Sequence, residues 1–340
     1  IPDTIEINDD IRRLTSVVCH SLSDVPDIID TWNEGKVADV EGYYENAKIN
    51  RVYVDRVHVK KAFAEYTAAY NADDPKIKLK IDHTYRVAAL CERIAKAAGM
   101  CAYDVELAWL SGMLHDVGRF EQIKRYNTFS DADSVDHAKF GADLLFKDGL
   151  ISTFLNGMVK CTGYKPGALE DRYSSDGVFL YDRLNKSDME MLELAIRCHN
   201  MYRIPQGLNR REQAFCNVLR DADKVDIFKV NIDTPLEEIY NTTTEELMKS
   251  DITDEVLEAF DEEHCILKAI RRTPADTVIG HVSLAYELVY DESVRITVEQ
   301  GYLAKLMHFH SDNEETNRKM AMVREKMDSY VKKRIGEKDA

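Results

Sequence analysis

Apolar residues along this chain recur every three to four positions rather than every second one, segment after segment, which is the spacing of buried helix faces. Val59, Ala62, Phe63, Tyr66 and Ala69 line one face of a helix predicted over Arg56–Tyr70. Asn71–Lys80, with Asp73-Asp74-Pro75, reads as the break that follows. Val87, Leu90, Cys91, Ile94 and Ala97 mark a stripe over Ile81–Met100, closed by Gly99 just past the helix end. Another helix opens near Asp104, runs through Ala108, Trp109, Leu110, Met113 and Leu114, and stops at Gly118.

Periodicity then lapses over the polar stretch Glu121–Asp136 and returns over His137–Phe146, with Ser134 as a candidate N-cap. Cys161–Lys186 is rich in Gly, Pro, Asp and Tyr and reads as an irregular insertion. Ser187-x-x-Glu190 is a capping-box pattern that opens a helix ending at Cys198. Arg211–Val230 is helical, on Phe215, Val218, Leu219, Ala222 and Val225. Thr234–Ala340 offers four or five amphipathic helices, with turns near Thr253, Pro274 and Asp312 and a capping signature at Ser311-x-x-Glu314. Residues 1–55 are acidic and weakly periodic, a helical N-terminal extension. The expected organisation is all-α: that extension, a helical domain over 56–235, and a C-terminal helical region over 236–340 packed on it.

A chain of 340 residues can bury a large core, and 44% hydrophobic with 31% charged residues is ordinary globular composition. The formal charge of −16 argues against a long nucleic-acid footprint or an anionic membrane surface, but a few local cations suffice for a small phosphorylated substrate. No stretch approaches the roughly 20 apolar residues of a membrane span, and no charged-then-apolar signal opens the chain. Seven scattered cysteines without a Cys-x-x-Cys predict reduced thiols in a cytoplasmic setting.

Candidate chemistry begins at the inner end of the Asp104 helix, where His115 and Asp116 follow an apolar run. Charge there is costly unless it is paired or bound to metal. The doublet reads equally as two metal ligands or as a pair hydrogen-bonded to each other. His83, His137, His199 and Asp223 also fall at the ends or inward positions of predicted helices, none at short-motif spacing. Lys124, Arg125, Tyr126, Asn127 and Thr128 could hold a phosphate or form a solvated loop.

Leu114-His115-Asp116-Val117-Gly118-Arg119 resembles the doublet that names the HD-domain superfamily. In the same order, His83-Thr84-Tyr85-Arg86-Val87 resembles its first histidine segment and Arg220-Asp221-Ala222-Asp223-Lys224 its closing aspartate. His137-Ala138-Lys139-Phe140-Gly141 and Cys198-His199-Asn200 are similar to the extra histidines of members with two metals. The likeness spans about residues 80–230. It implies an all-helical bundle whose first metal takes His83, His115, Asp116 and Asp223, and whose second takes Asp116 as bridge with His137 and His199. A helix shift would exchange Asp221 for Asp223, and Asp221 and Asp226 become candidates for orienting the imidazoles.

Imidazole with carboxylate suits iron, manganese, cobalt or nickel, two per chain, with magnesium as a further option. The implied activity is metal-dependent hydrolysis of a phosphate mono- or diester of a nucleotide or other small metabolite. Asp116, Arg86, Arg119 and Lys224 are the catalytic candidates, with Lys124, Arg125 and Asn200 binding substrate. The rivals are a di-iron oxygenase on the same ligand set, as in myo-inositol oxygenase, and a metal-loaded nucleotide-binding regulatory module. The long terminal helices leave a homodimer open.

Overall fold

The computed structural model of the protein describes residues 54–155, 160–161, 179–180, 186–240 and 242–336. The expected helical extension, apart from residues 54–55, and most of the Cys161–Lys186 insertion lie outside them. Residues 56–156 and 183–340 form one compact unit; 1–55 and 157–182 form another, which includes an antiparallel pair of two-residue strands, β1 (Lys160–Cys161) and β2 (Phe179–Leu180).

The first unit is all-α. Its helices are α1 (Arg56–Thr67), α2 (Pro75–Ala97), α3 (Ala102–Leu114), α4 (Val117–Tyr126), α5 (His137–Ala142) and α6 (Ile151–Leu155). They continue as α7 (Lys186–Cys198), α8 (Arg210–Asp233), α9 (Leu236–Tyr240), α10 (Thr244–Lys249) and α11 (Asp254–Asp261). The last four are α12 (Pro274–Val282), α13 (Asp291–Gln300), α14 (Tyr302–Met307) and α15 (Glu314–Ile335). A π-helical turn (Asp143–Lys147) extends α5, and 3₁₀ turns lie at Lys268–Ile270 and Ser283–Glu287. Among the described residues, no helix is long and apolar enough to cross a membrane.

The centre is α2, α3 and α8. Val87, Ala88, Cys91 and Ile94 pack with Leu107, Leu110, Met113 and Leu114 and with Phe215, Leu219, Ala222 and Val225, all essentially without solvent exposure. Each large apolar side chain so buried contributes about 1.5–3 kcal/mol. Gly112 lets α2 and α3 approach this closely: a Cβ there would lie 2.6 Å from Ala88 Cα, backbone that cannot yield.

Four boundaries differ from the sequence reading, each for a local reason. α2 begins at Pro75 rather than near Ile81, because Asp74 is its N-cap, accepting from Lys76 N at 2.8 Å, and Pro75 occupies the first turn, where no donor is missed. The stretch read as a break is therefore helix, and Lys80 rides on it. The doublet helix stops at Leu114, and the chain restarts as α4 at Val117, so Glu121–Tyr126 is helical until Asn127 ends it in the left-handed region at φ 52°. Asp136, not Ser134, caps α5, and Asn313, not Ser311, caps α15. Beyond residue 234 there are seven α-helices, all but the last of them short, and two 3₁₀ turns among the described residues, where four or five helices were expected.

Gly118 does not end a helix. A Cβ there would sit 2.4 Å from His137 O and 2.7 Å from Gly141 N, so α4 and α5 touch backbone to backbone. Gly118→Ala is expected to destabilise the fold by about 1–3 kcal/mol, as an overpacked interior does. Chemical denaturation checks this, and a change of a few tenths of a kcal/mol would mean that the two backbones can part freely.

Candidate metal centre

The four histidines at the centre come from four elements. His83 lies within α2, His115 caps the end of α3, His137 opens α5, and His199 follows the end of α7. All four are buried, with 4% exposure at most. Each has its Nδ1 committed away from the centre. His115 Nδ1 donates to Gly112 O at 2.7 Å and His199 Nδ1 to Ile196 O at 2.7 Å, each the carbonyl one helical turn back. His83 Nδ1 lies 2.6 Å from Asp226 Oδ2, and His137 Nδ1 lies 2.6 Å from Asp131 Oδ2. A carbonyl or carboxylate accepts only from N–H, so these partners assign the proton to Nδ1 and leave the Nε2 lone pairs facing inward.

Those lone pairs meet around two carboxylates. His83 Nε2 is 3.3 Å from His115 Nε2, 3.1 Å from Asp223 Oδ1 and 3.6 Å from Asp116 Oδ2. His115 Nε2 is 3.5 Å from the same Asp116 oxygen. On the other side, His137 Nε2 is 3.0 Å from His199 Nε2, and the two lie 3.5 and 3.8 Å from Asp116 Oδ1. Asp116 thus presents one oxygen to each pair of imidazoles. Donor atoms about 2.1 Å from a shared ion stand roughly 3.0–3.4 Å apart, so the spacing fits a metal.

Electrostatics supports the same reading. Burial, aided by the Arg119 guanidinium and His199 at His137 and by His115 at His199, pushes His137 and His199 each down to about 4, so both are neutral near pH 7. Two unprotonated nitrogens 3.0 Å apart repel unless a cation lies between them. Burial also lowers His115; His83 alone is raised, because the Asp223 and Asp226 carboxylates beside its two nitrogens outweigh burial and the nearby Lys80 ammonium. Burial alone would raise Asp116, but Lys80, His115, His137 and Arg119 hold it well below the ordinary carboxylate range. The residues present therefore fit a divalent metal. A mere His115–Asp116 hydrogen bond, the alternative left open by the sequence, accounts for none of the other contacts.

Helix α8 explains the aspartates. Asp223 and Asp226, three residues apart on one face, take the two nitrogens of His83. Arg86, one turn beyond His83 on α2, grips Asp226 with both arms at 2.6 and 2.9 Å. Asp221 is turned roughly 200° from Asp223 and accepts instead from Val289 N, Tyr290 N and Ser293 Oγ, which anchors the start of α13. It orients no imidazole, which corrects that expectation.

Beside the cluster opens a cavity of about 760 Å³ lined by Lys80, Asp116, Arg119, Asn200, Arg220, Asp223 and Lys224 among others. Lys80 Nζ lies 2.7 Å from Asp116 Oδ2. Arg119 binds Gln122, Phe129 O and Asp131 through Nη1, while its Nε is buried without a partner among the described residues, 3.7 Å from Asp116 Oδ1. Asn200 donates to Asp131 and Asp136. Burial and Arg220 push the Lys224 ammonium down to about 8.

Three expected contacts fall elsewhere. Arg86 lies behind His83 on Asp226, so it positions a ligand and does not line the cavity. Lys124 and Arg125 sit on the outer face of α4, exposed, beside Glu121 and over the rings of Tyr70 and Phe140. For them the solvated-surface alternative is the one observed, because α4 continues through the stretch that looked like a loop. Two residues escaped sequence reading. Lys80 was hidden in an apparent helix break whose Asp-Pro pair was in fact a start signal. Asp131 sits in a polar connection without periodicity, and only its contact with His137 reveals it.

Residues 81–231 match a protein-family model described as the HD domain. The chain carries an HD domain. This is a superfamily of metal-dependent hydrolase type, mostly phosphohydrolases, and the HD domain with its clustered His and Asp indicates divalent metal binding here. No curated protein and no solved structure matches the chain.

Because Asp226 fixes the tautomer and ring angle of His83, Asp226→Asn is expected to weaken metal affinity roughly 10–100-fold. Competition against a chelating dye reads this directly. Asp221→Asn serves as comparison, since it costs stability at α13 without touching an imidazole. Equal metal affinity in the Asp226 variant and the wild type would remove the orienting role.

Proposed function

We propose that the protein hydrolyses the phosphate ester of a small phosphorylated metabolite, with nucleotides the first class to test, using two divalent ions. One would be held by His83, His115, Asp223 and Asp116 Oδ2, the other by His137, His199 and Asp116 Oδ1. The observation that carries this reading is Asp116 itself, a buried carboxylate whose two oxygens each face a separate pair of imidazoles beside a cavity lined with cations. Bound there, the ions would supply Lewis acidity, lowering the pKa of water toward ~7 and offsetting charge that grows on phosphoryl oxygens.

The chain's own residues set the rest. Arg119 and Lys80 flank Asp116 on the cavity side, and Phe129 lies within 5.5 Å of the Lys80 ammonium and 5.8 Å of the Arg119 guanidinium. Arg119 is held by Asp131, which also holds His137, so one carboxylate couples a metal ligand to a phosphate-facing cation. Lys224, the residue after Asp223 on α8, faces the cavity. Fixed cations in a site partly closed to water stabilise a transferring phosphoryl group more than they would in solvent. A di-iron oxygenase would use the same ligands, but it gives no reason for Lys80 and Arg119 to flank Asp116 on the cavity side.

Metal analysis of untreated protein is expected to give two ions per chain, falling to one in His137→Ala. Single-turnover assays of Mn²⁺-loaded protein against nucleotides and phosphomonoesters are expected to release phosphate. Asp116→Ala should reduce that rate roughly 10²-fold or more, and chelation should abolish it. Nucleotide affinity without turnover would favour the regulatory module, and aerobic oxidation of a substrate by iron-loaded protein would favour the oxygenase. Either result overturns the hydrolase.

A further inference from the structure

The cavity runs past the metal ligands into the C-terminal region, where Arg220, Lys224, Lys268, Arg271, His281 and Glu287 line it. These cations are held differently from several other arginines of the protein. Arg56, Arg86, Arg93, Arg119 and Arg211 each lie 2.6–2.9 Å from a carboxylate. Arg220 and Arg271 have no carboxylate within 4.0 Å among the described residues. Arg220, 7% exposed, is aimed by the carbonyls of Met201 and Tyr202, and Lys224, 8% exposed, by Arg220 O at 3.4 Å. Arg271 is tied only by Ile266 O, and its Nε is buried without a partner among the described residues.

Space has been left for that guanidinium. A Cβ at Gly280 would fall 2.3 Å from Arg271 Cζ, so the glycine makes room for it. His281, the next residue, has a buried Nδ1 with no partner among the described residues, and burial together with Arg271 and Lys268 pushes its imidazole down to about 3. Glu287, the acid on this wall, is occupied by Cys265 N at 3.2 Å and lies 3.6 Å from His264. Asp221, Asp223 and Glu287 act electrostatically on Lys224 and Asp276 on Arg271, but no carboxylate lies within 4.0 Å of Arg220 or Arg271 among the described residues, and guanidinium groups held this way are costly unless an anion completes them.

We propose that Arg220, Lys224, Arg271 and Lys268 form a second anion subsite, so that the substrate carries two separated anionic groups, a phosphoryl group at the metals and a phosphate or carboxylate at this far wall. The substrate class rests on the hydrolase reading; the subsite does not. The cavity's volume suits such a two-headed metabolite and far exceeds a single phosphate. Arginine, whose fork matches an oxyanion's geometry, is the residue expected to dominate.

Calorimetric titration of the metal-loaded full chain with inorganic phosphate tests the subsite without turnover. Two phosphates per chain are expected for the wild type. Arg271→Gln should lose one of them or bind it at least tenfold more weakly, and so should Lys268→Gln, a change at an exposed side chain that spares the fold. His137→Ala should weaken the other phosphate instead. In turnover, bis-anionic substrates should exceed their mono-anionic counterparts in kcat/KM by about tenfold or more, with Arg271→Gln narrowing that ratio, and phosphate-tailed against carboxylate-tailed pairs identify the second group. One phosphate per chain in the wild type, or two retained undiminished in both variants, overturns the subsite. Two phosphates with no hydrolysis of any ester overturns only the hydrolase reading.

Discussion

Burial keeps protons off three of the four histidines that meet at the centre, neighbouring cations and imidazoles keep them off the carboxylates, and the rest of the structure depends on that constraint. Four imidazole nitrogens and three carboxylate oxygens stand 3.0–3.9 Å apart among packed helices, open on one side to the cavity. In water each group would be hydrated and some would be protonated. Here the imidazole protons are fixed on the outward nitrogens by two carbonyls and two carboxylates, so lone pairs face lone pairs. Such an arrangement is costly unless cations complete it, so a divalent metal bound there would add to the stability of the folded state.

The fold serves this constraint at two contacts that carry no charge. Gly112 brings α3 against Ala88 on α2, which lets His115 and His83 meet. Gly118 brings the start of α4 against α5, which lets His137 reach the carboxylate of Asp116. A methyl group at either position would part the backbones by an amount comparable to the tolerance of a coordination sphere. The break between α3 and α4 matters for the same reason. A continuous helix would point His115 and Asp116 about 100° apart on one rod, whereas the turn at Asp116 frees its carboxylate to face both pairs of imidazoles.

Helix α8 joins the metal cluster to the C-terminal region through alternating faces. Asp223 and Asp226 face α2, while Asp221 caps the entry to α13. Arg220 and Lys224, which flank them, face the cavity together with residues between Cys265 and Glu287. The C-terminal segments therefore supply part of the cavity wall.

The sequence by itself determined the helical class, the apolar stripes of α2, α3 and α8, and the order of His83, His115-Asp116, His137, His199 and Asp223. Those signals are local, because periodicity and short motifs survive without tertiary contacts. It also offered Asp221 and Asp226 on equal terms, and Arg86, Lys124 and Arg125 as phosphate-facing cations. Only tertiary structure decided among these, since which face of a helix meets which neighbour depends on partners up to 143 residues away. Lys80 went unseen because a start signal looked like a break. The far cation wall went unseen because Arg220, Lys268, Arg271 and His281 share no spacing at all; they converge only once α8 and the C-terminal segments have packed.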